Sequence, residues 1–428
     1  MDYCRGIPFV LMLISIFLPL SSSASETEQT YFQLGPSDCS EMMVFDPGMW
    51  MCMPLAMEGM PMKMLMIHGQ LSGGQIVEEG PRGRSSLFST SMVMFDLGTS
   101  LGSSHYLNLD FMGTAERWTF PAAGYPELLQ IGERNSDGVP FLDSQHPHSS
   151  PIMGLTLSDT IRFRQDSTDS IKLFFAPRGE STEGPIAFMH RPTGIYNPDA
   201  PLGHHVGQDV GHISSTVLGA SLKLGSTRVE LSTFNGTEPE PMSVDLPMGV
   251  PNSFAARLVE EFSPELIGMV SGAYVSNPEA DDPTVPFVTR YSASMYAQVR
   301  LPHGWTFYNS LIYGLINHLD HAGALNSFTE ELLFAGERPR IFGRFELLQR
   351  TPAELEIPTS GDPNSGLWVA ALTLGYSHKI TSIDGVELNL GASATKDLLP
   401  KEYLAAYGGN PWSGKVFLRL GGMGMWNL

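Results

Sequence analysis

Thr289-Arg290-Tyr291-Ser292-Ala293-Ser294-Met295-Tyr296-Ala297-Gln298-Val299-Arg300 alternates with a period of two. Tyr291, Ala293, Met295, Ala297 and Val299 fall on one face; Arg290, Ser292, Ser294, Gln298 and Arg300 fall on the other. Successive side chains of a strand point to opposite faces, so this stretch has one greasy side and one polar side. Arginine at a strand centre is costly against lipid and harmless in a wet interior. The pattern recurs. Val229 and Leu231 alternate with Arg228, Glu230 and Ser232; Val386, Leu388, Leu390 and Ala392 alternate with Glu387, Asn389 and Ser393. Near the C-terminus, Val416, Leu418 and Leu420 alternate with Lys415 and Arg419.

Working outward, Gly, Pro, Asp or Asn breaks the chain into runs of about ten residues from residue 64 onward. Strands are expected to start near 64, 86, 103, 151, 167, 212, 226, 251, 265, 289, 304, 324, 339, 366, 385 and 412. Short turns near Thr99–Gly102, Gln165–Asp166, Gly225, Ser263–Pro264, Pro302–His303, Arg338 and Ser382–Asp384 alternate with long connections. The long ones are 77–85, 114–150, 178–211, 237–250, 277–288, 318–323, 351–365 and 396–411. Counted from the periplasm, every long connection falls outside, the asymmetry of outer-membrane barrels. Lipid cannot satisfy a sheet edge, so a spanning sheet must close. The expectation is an all-β protein, an antiparallel transmembrane β-barrel of about sixteen strands over 64–428, in the outer membrane of a Gram-negative bacterium. Such a barrel is wider than its own side chains can fill, so water or the long loops must occupy it.

The N-terminus reads as a signal peptide over 1–25: Arg5, an apolar run from Ile7 to Leu20, then small residues Ser22, Ser23, Ala24 and Ser25. Beyond it no run of ~18 apolar residues offers a spanning helix. Cys4 leaves with the signal; Cys39 and Cys52 remain and have the option of one disulfide in an oxidising periplasm. The 428 residues carry 25 Lys and Arg against 45 Asp and Glu, a formal charge of −20. That balance excludes nucleic acid as a partner. It attracts cations, or simply keeps acidic loops soluble.

Residues 26–63 read as a flexible, Met-rich periplasmic leader. Residues 42–66 hold ten of the chain's 23 methionines, including Met49, Met51, Met53, Met57, Met60 and Met62. Thioether sulfur is a soft ligand suited to Cu(I), and Met-x-Met spacing allows wrapping of an ion. The bland alternative is sticky methionines packing into the barrel mouth. Two long loops carry half of the histidines. One ends in Asp143-Ser144-Gln145-His146-Pro147-His148; the other contains His190, His204 and His205, with Asp209 and His212 just after. Imidazole with carboxylate suits Zn, Cu or Ni. The alternative is a hydrogen-bonded plug that satisfies irregular backbone inside the lumen. Ser149, His148 and Asp143 are a weaker hydrolase alternative; no Gly-x-Ser-x-Gly elbow accompanies them, and the chain is expected not to be an enzyme.

The chain resembles an uncharacterised family of bacterial outer-membrane barrels with Met-rich N-termini, associated with copper and other heavy-metal resistance. The matching stretches are Gly80-Pro81-Arg82-Gly83, Tyr125–Gln130, Gln145–His148, Phe188–Pro192, Asn197–Pro201, His204-His205, Asp209, His212-Ile213, Phe234–Pro239 and Phe417–Leu420. The copper-resistance outer-membrane proteins resemble it more loosely, through the leader alone, and this leader has no His before His68. The resemblance implies metal handling, with copper the one cofactor or cargo indicated, outer-membrane lipid as surroundings and no catalytic residue. The other expectation is a diffusion porin for small solutes, whose selectivity Arg228, Glu230, Arg290, Arg300, Arg340 and Arg344 would set as pore-lining groups.

Overall fold

The computed structural model describes every residue except 1–35, 40–42, 136, 149, 240–243, 279–284 and 319–322. The expected signal peptide therefore lies outside the described residues. Two short strands, β1 (Met43–Asp46) and β2 (Met51–Pro54), pair as a hairpin. The wall begins with β3 (Lys63–Glu78), β4 (Ser85–Leu101) and β5 (His105–Gly113). A second hairpin, β6 (Tyr125–Arg134) and β7 (Pro140–Gln145), interrupts it. The wall resumes with β8 (Ile152–Arg162), β9 (Ser170–Gly179), β10 (Ser214–Leu224), β11 (Thr227–Asn235), β12 (Ser253–Ser263), β13 (Leu266–Ser276) and β14 (Phe287–Leu301). It ends with β15 (Trp305–His318), β16 (Gly323–Ala335), β17 (Pro339–Arg350), β18 (Leu367–Ile383), β19 (Val386–Leu398) and β20 (Trp412–Asn427).

These sixteen strands form one closed antiparallel barrel, sealed where β20 pairs with β3. Each begins within three residues of the position read from the alternation. Most long connections gather at one end and most short turns at the other, but β15 and β16 are separated by only four residues at the loop end and β8 and β9 by seven at the turn end.

The side chains sort as a membrane wall requires. Tyr291, Met295, Val299, Val229, Leu231, Leu390, Val416 and Leu418 are exposed on the outside, whereas Arg290, Ser292, Ser294, Gln298, Arg228, Glu230, Asn389 and Arg419 are buried inside. Aromatic residues edge the apolar belt at both ends: Phe254, Trp368 and Trp412 at the loop end, Phe163, Phe262 and Phe334 at the turn end. Amphipathic rings of this kind sit at the headgroup level.

The lumen is filled. The loop at 114–151, including β6 and β7, and the loop at 180–213 fold inward. Their residues Leu129, Tyr125, Arg191, Ile195 and Val206 are almost completely buried. The leader corrects the expectation of a free tail. From Met43 to Pro54 it is a hairpin inside the turn end of the barrel, where Arg228 donates to the Phe45 carbonyl at 2.7 Å and Lys172 faces Asp46 at 3.4 Å. Trp50 is buried against Tyr296, ring centroids 5.9 Å apart. Cys39 and Cys52 form a disulfide across 13 residues. Closing a loop of that size is worth ~3 kcal/mol. The hairpin is ordered because luminal charges satisfy it, and nothing in its own sequence encodes those distant partners.

Candidate functional site

Near the loop end of the lumen the two inward loops meet through their histidines. His146 and His148 come from the first loop; His204, His205 and His212 come from the second. Ring centroids lie 5.4 Å apart for His146 and His205, 4.6 Å for His204 and His205, 5.0 Å for His204 and His212, and 5.5 Å for His148 and His212. All five, with Phe188, line a cavity of about 20 Å³. That is room for about one water or one ion.

The proton positions follow from fixed partners. His146 Nδ1 donates to the Pro147 carbonyl at 3.0 Å, so in the neutral ring Nε2 is a lone pair. His205 Nε2 lies 3.3 Å from it. Two nitrogens bound tetrahedrally to one ion at 2.0–2.1 Å would stand about 3.3 Å apart. His212 Nδ1 donates to the Asp209 carbonyl, and His212 Nε2 has no hydrogen-bond partner. His148 Nδ1 is bonded to Glu116 Oε2 at 2.5 Å. Second partners of this kind are what orient imidazoles as metal ligands. Burial pushes four of the rings toward neutrality: His146 down to about 4, His212 down to about 3, and His204 and His205 well below the usual range, with neighbouring imidazoles adding to the effect. Among the described residues no three His, Cys, Asp or Glu side chains are yet arranged around one ion.

The remaining expected ligands divide. His190 is buried below the cage, held neutral by burial at about 4, and lines a second cavity of about 130 Å³. Met49 and Met53 line that cavity too, and Met51 is buried beside Met66. Met57, Met60 and Met62 stay at the turn-end mouth, with Met60 exposed. Asp209 does not offer its carboxylate to the cage: Arg191 Nη1 holds both oxygens at 3.2 Å. Burial nevertheless raises that carboxyl to about 6, against the pull of Arg191. Its carbonyl, not its carboxylate, serves the cage.

The arginines expected to line a pore hold the plug instead. Arg290 pairs with Glu183 at 3.1 Å, Arg344 donates to the Asp199 carbonyl at 2.9 Å, and Arg340 donates to the Tyr196 hydroxyl at 3.1 Å. Arg228 and Glu230 line the larger cavity. Arg300 is a correction: its side chain is largely exposed at the turn-end rim, paired with Asp38, because it is the next-to-last residue of β14. The hydrolase triad is corrected as well. Asp143 is bound by Arg82, the Leu129 amide and the Tyr407 hydroxyl, while His148 pairs with Glu116; Ser149 lies outside the described residues. Glu116 was not anticipated, nor were Met94, Met112 and Met189. The first is a loop carboxylate without a motif. Met94 and Met112 carried a signal, since they occupy inward positions that are polar in most other strands.

No family model and no curated protein sequence matches the chain. Among solved structures it is similar to Salmonella typhi OmpF in complex with daunomycin, at TM-score 0.52 and 8% identity over 85% of this chain and 97% of that one. It is also similar to an anion-selective porin from Comamonas acidovorans, at TM-score 0.49 and 12% identity over 83% of this chain and 99% of that one. At such identities the likeness is one of fold. A closed sixteen-stranded wall with an unbroken apolar belt makes this chain an outer-membrane β-barrel of a Gram-negative bacterium.

Proposed function

We propose that this barrel takes part in handling a metal ion, copper being the ion that suits its donors, and that the histidine cage is where a divalent ion is first held. One observation carries the reading: two successive outer loops deliver five imidazoles, those of His148, His204 and His212 buried and those of His146 and His205 half-buried, to one ion-sized cavity. Imidazoles whose second nitrogen is already held, as in His146, His148 and His212, suit Cu(II) or Zn(II). The test is equilibrium dialysis of the detergent-purified barrel against Cu(II). One ion per chain is expected, with binding at least about 100-fold weaker when His146 and His205 are both replaced by Gln, in keeping with the loss of ligands at such a site. Wild-type affinity in that variant would remove the cage from the function.

The depressed imidazoles set a second expectation. A metal binds the unprotonated ring, so protons compete only near the ring's own pKa. For solvated histidines, affinity falls as pH drops through about 6.5. For His146 and His212, at about 4 and about 3, the lone pairs stay free well below that. Copper affinity is therefore expected to be flat from neutrality to about pH 5 and to fall only near pH 4. A titration with its midpoint near 6.5 would contradict a buried cage.

The porin fold favours a second reading, a diffusion channel with no metal role. It requires the inward loops to leave the lumen, and metal-indifferent conductance of the unmodified barrel in planar bilayers would support it over the first.

A further inference from the structure

The cavity of about 130 Å³ lies below the cage, between the plug and the wall of β4, β5 and β8 to β12. Its lining is unusual for a barrel lumen. Met94 of β4 and Met112 of β5 are direct cross-strand partners, and both point inward. Met189 of the second loop and Met49 and Met53 of the leader hairpin line it too, five methionines in all. The next cross-strand pair toward the turn end is Asp96 with Asp110, which also line the cavity.

Methionine often fills irregular cores simply because it is flexible. Two observations separate this chamber from a packed core. It contains space for several waters. It is also lined by His190, which is 3% exposed and whose Nδ1 has no hydrogen-bond partner. A buried polar atom without a partner is destabilising unless something binds it. Thioether and imidazole donors lining one space are the ligand set of a soft monovalent ion.

We propose that this chamber is a separate binding site for Cu(I), with Ag(I) as its redox-silent equivalent. The thioethers of Met94, Met112 and Met189 and the imidazole of His190 form its fixed side, and Met49 or Met53 closes it from the leader. The proposal rests on the reading of the barrel as a metal-handling protein, but it has its own residues and its own ion. The cage holds the borderline divalent ion; the chamber holds the soft monovalent one. The leader thus contributes to a site built mainly by the barrel wall and the second loop.

The test titrates the full barrel in detergent, anaerobically, with Cu(I) in competition with a chromogenic Cu(I) chelator, and separately with Ag(I). Met94→Leu, Met112→Leu and Met189→Leu are combined, since Leu keeps the volume and apolar character of Met. The wild type is expected to bind one Cu(I) per chain, and the triple variant at least 100-fold more weakly while keeping its Cu(II) affinity. The His146→Gln, His205→Gln variant is expected to keep Cu(I) and lose Cu(II). X-ray absorption of the Cu(I)-loaded wild type, which needs no variant to fold, is expected to show sulfur neighbours. Unchanged Cu(I) affinity in the triple variant, or a shell of nitrogen and oxygen alone, overturns the chamber. Loss of Cu(I) in the cage variant with retention in the methionine variant overturns it too and moves the ion to the cage. Failure to bind Cu(II) while Cu(I) binding behaves as described would sink the cage and leave the chamber standing.

Discussion

Gly314→Val is expected to turn a plugged barrel into a conducting one. Gly314 lies on the inward face of β15, and a Cβ placed there would stand 2.5 Å from the Val206 carbonyl oxygen and 2.7 Å from the Gly207 carbonyl carbon. The contact is reciprocal: Gly207, at φ +71°, would put a Cβ 2.4 Å from the Leu315 amide nitrogen. The tip of the second loop therefore rests backbone on backbone against the wall, a separation only glycine permits. Around it, Ser327 Oγ donates to the Val206 carbonyl at 2.6 Å, and Gln208 Nε2 donates to Ser327 Oγ at 2.9 Å and to Thr329 Oγ1 at 3.0 Å. Valine suits a strand, so the wall itself tolerates the change. The obstructing atoms are backbone, so no rotamer relieves the overlap, and the cost is at least the ~1–3 kcal/mol typical of overpacking. The loop must lift. Planar-bilayer recordings of Gly314→Val are expected to show discrete conductance steps far larger than those of the wild type, with the barrel still folded by its resistance to detergent at room temperature. Tyr313→Val, on the lipid face one residue away, is expected to conduct like the wild type. Equal conductance of Gly314→Val and wild type would mean that this loop does not seal the lumen.

The wall was legible in the sequence and the lumen was not, for one physical reason. Every wall strand meets lipid on one face, so Tyr291, Met295 and Val299 had to be apolar whatever lay across from them. Lipid is a uniform partner, and a uniform partner leaves a periodic signature. Turns were legible where the backbone needs special residues, as at Gly225 with φ +58°. The plug answers to particular partners far away in sequence. The burial of Met49 and Met51 depends on Arg228 reaching Phe45 and on Lys172 reaching Asp46. The role of Asp209 depends on Arg191 having taken its carboxylate. The histidines stood out as a candidate set because two loops carried them. That His190 would part from the rest and face methionines was a matter of how the second loop crosses the lumen. Met94 and Met112 were the missed opportunity: thioethers at inward positions break the wall's own polar rule.

Arg191→Met is expected to undo the second loop as a unit and the cage with it. Arg191 is fully buried. Its Nε and Nη2 engage both oxygens of Glu331 on β16, at 2.9 and 3.0 Å, and its Nη1 binds Asp209 and the Ile186 carbonyl, the latter at 2.7 Å. One guanidinium thus ties the start of the loop, its end and the wall. Glu331 keeps Arg344, but the Asp209 carboxylate is left without its hydrogen-bonded cation. Breaking a buried ion pair from one side typically costs ~3–5 kcal/mol, because the remaining carboxyl must either stay charged without its partner or take up a proton. Asp209 precedes the turn that aims His212, so the same change loosens His204, His205 and His212 together. Hydrogen exchange read by mass spectrometry is expected to rise by orders of magnitude in peptides from 180–213 and to stay low in the wall strands. Cu(II) binding is expected to weaken in parallel. Adding Asp209→Asn removes the stranded charge and keeps the carbonyl that orients His212. The double variant should therefore recover a substantial part of the protection. If Arg191→Met left exchange in 180–213 at the wild-type level, the loop would owe its position to apolar packing and glycine contacts, and the ion network would be a passenger. If the second substitution deepened the loss instead of relieving it, the cost would lie in missing hydrogen bonds and not in an unpaired charge.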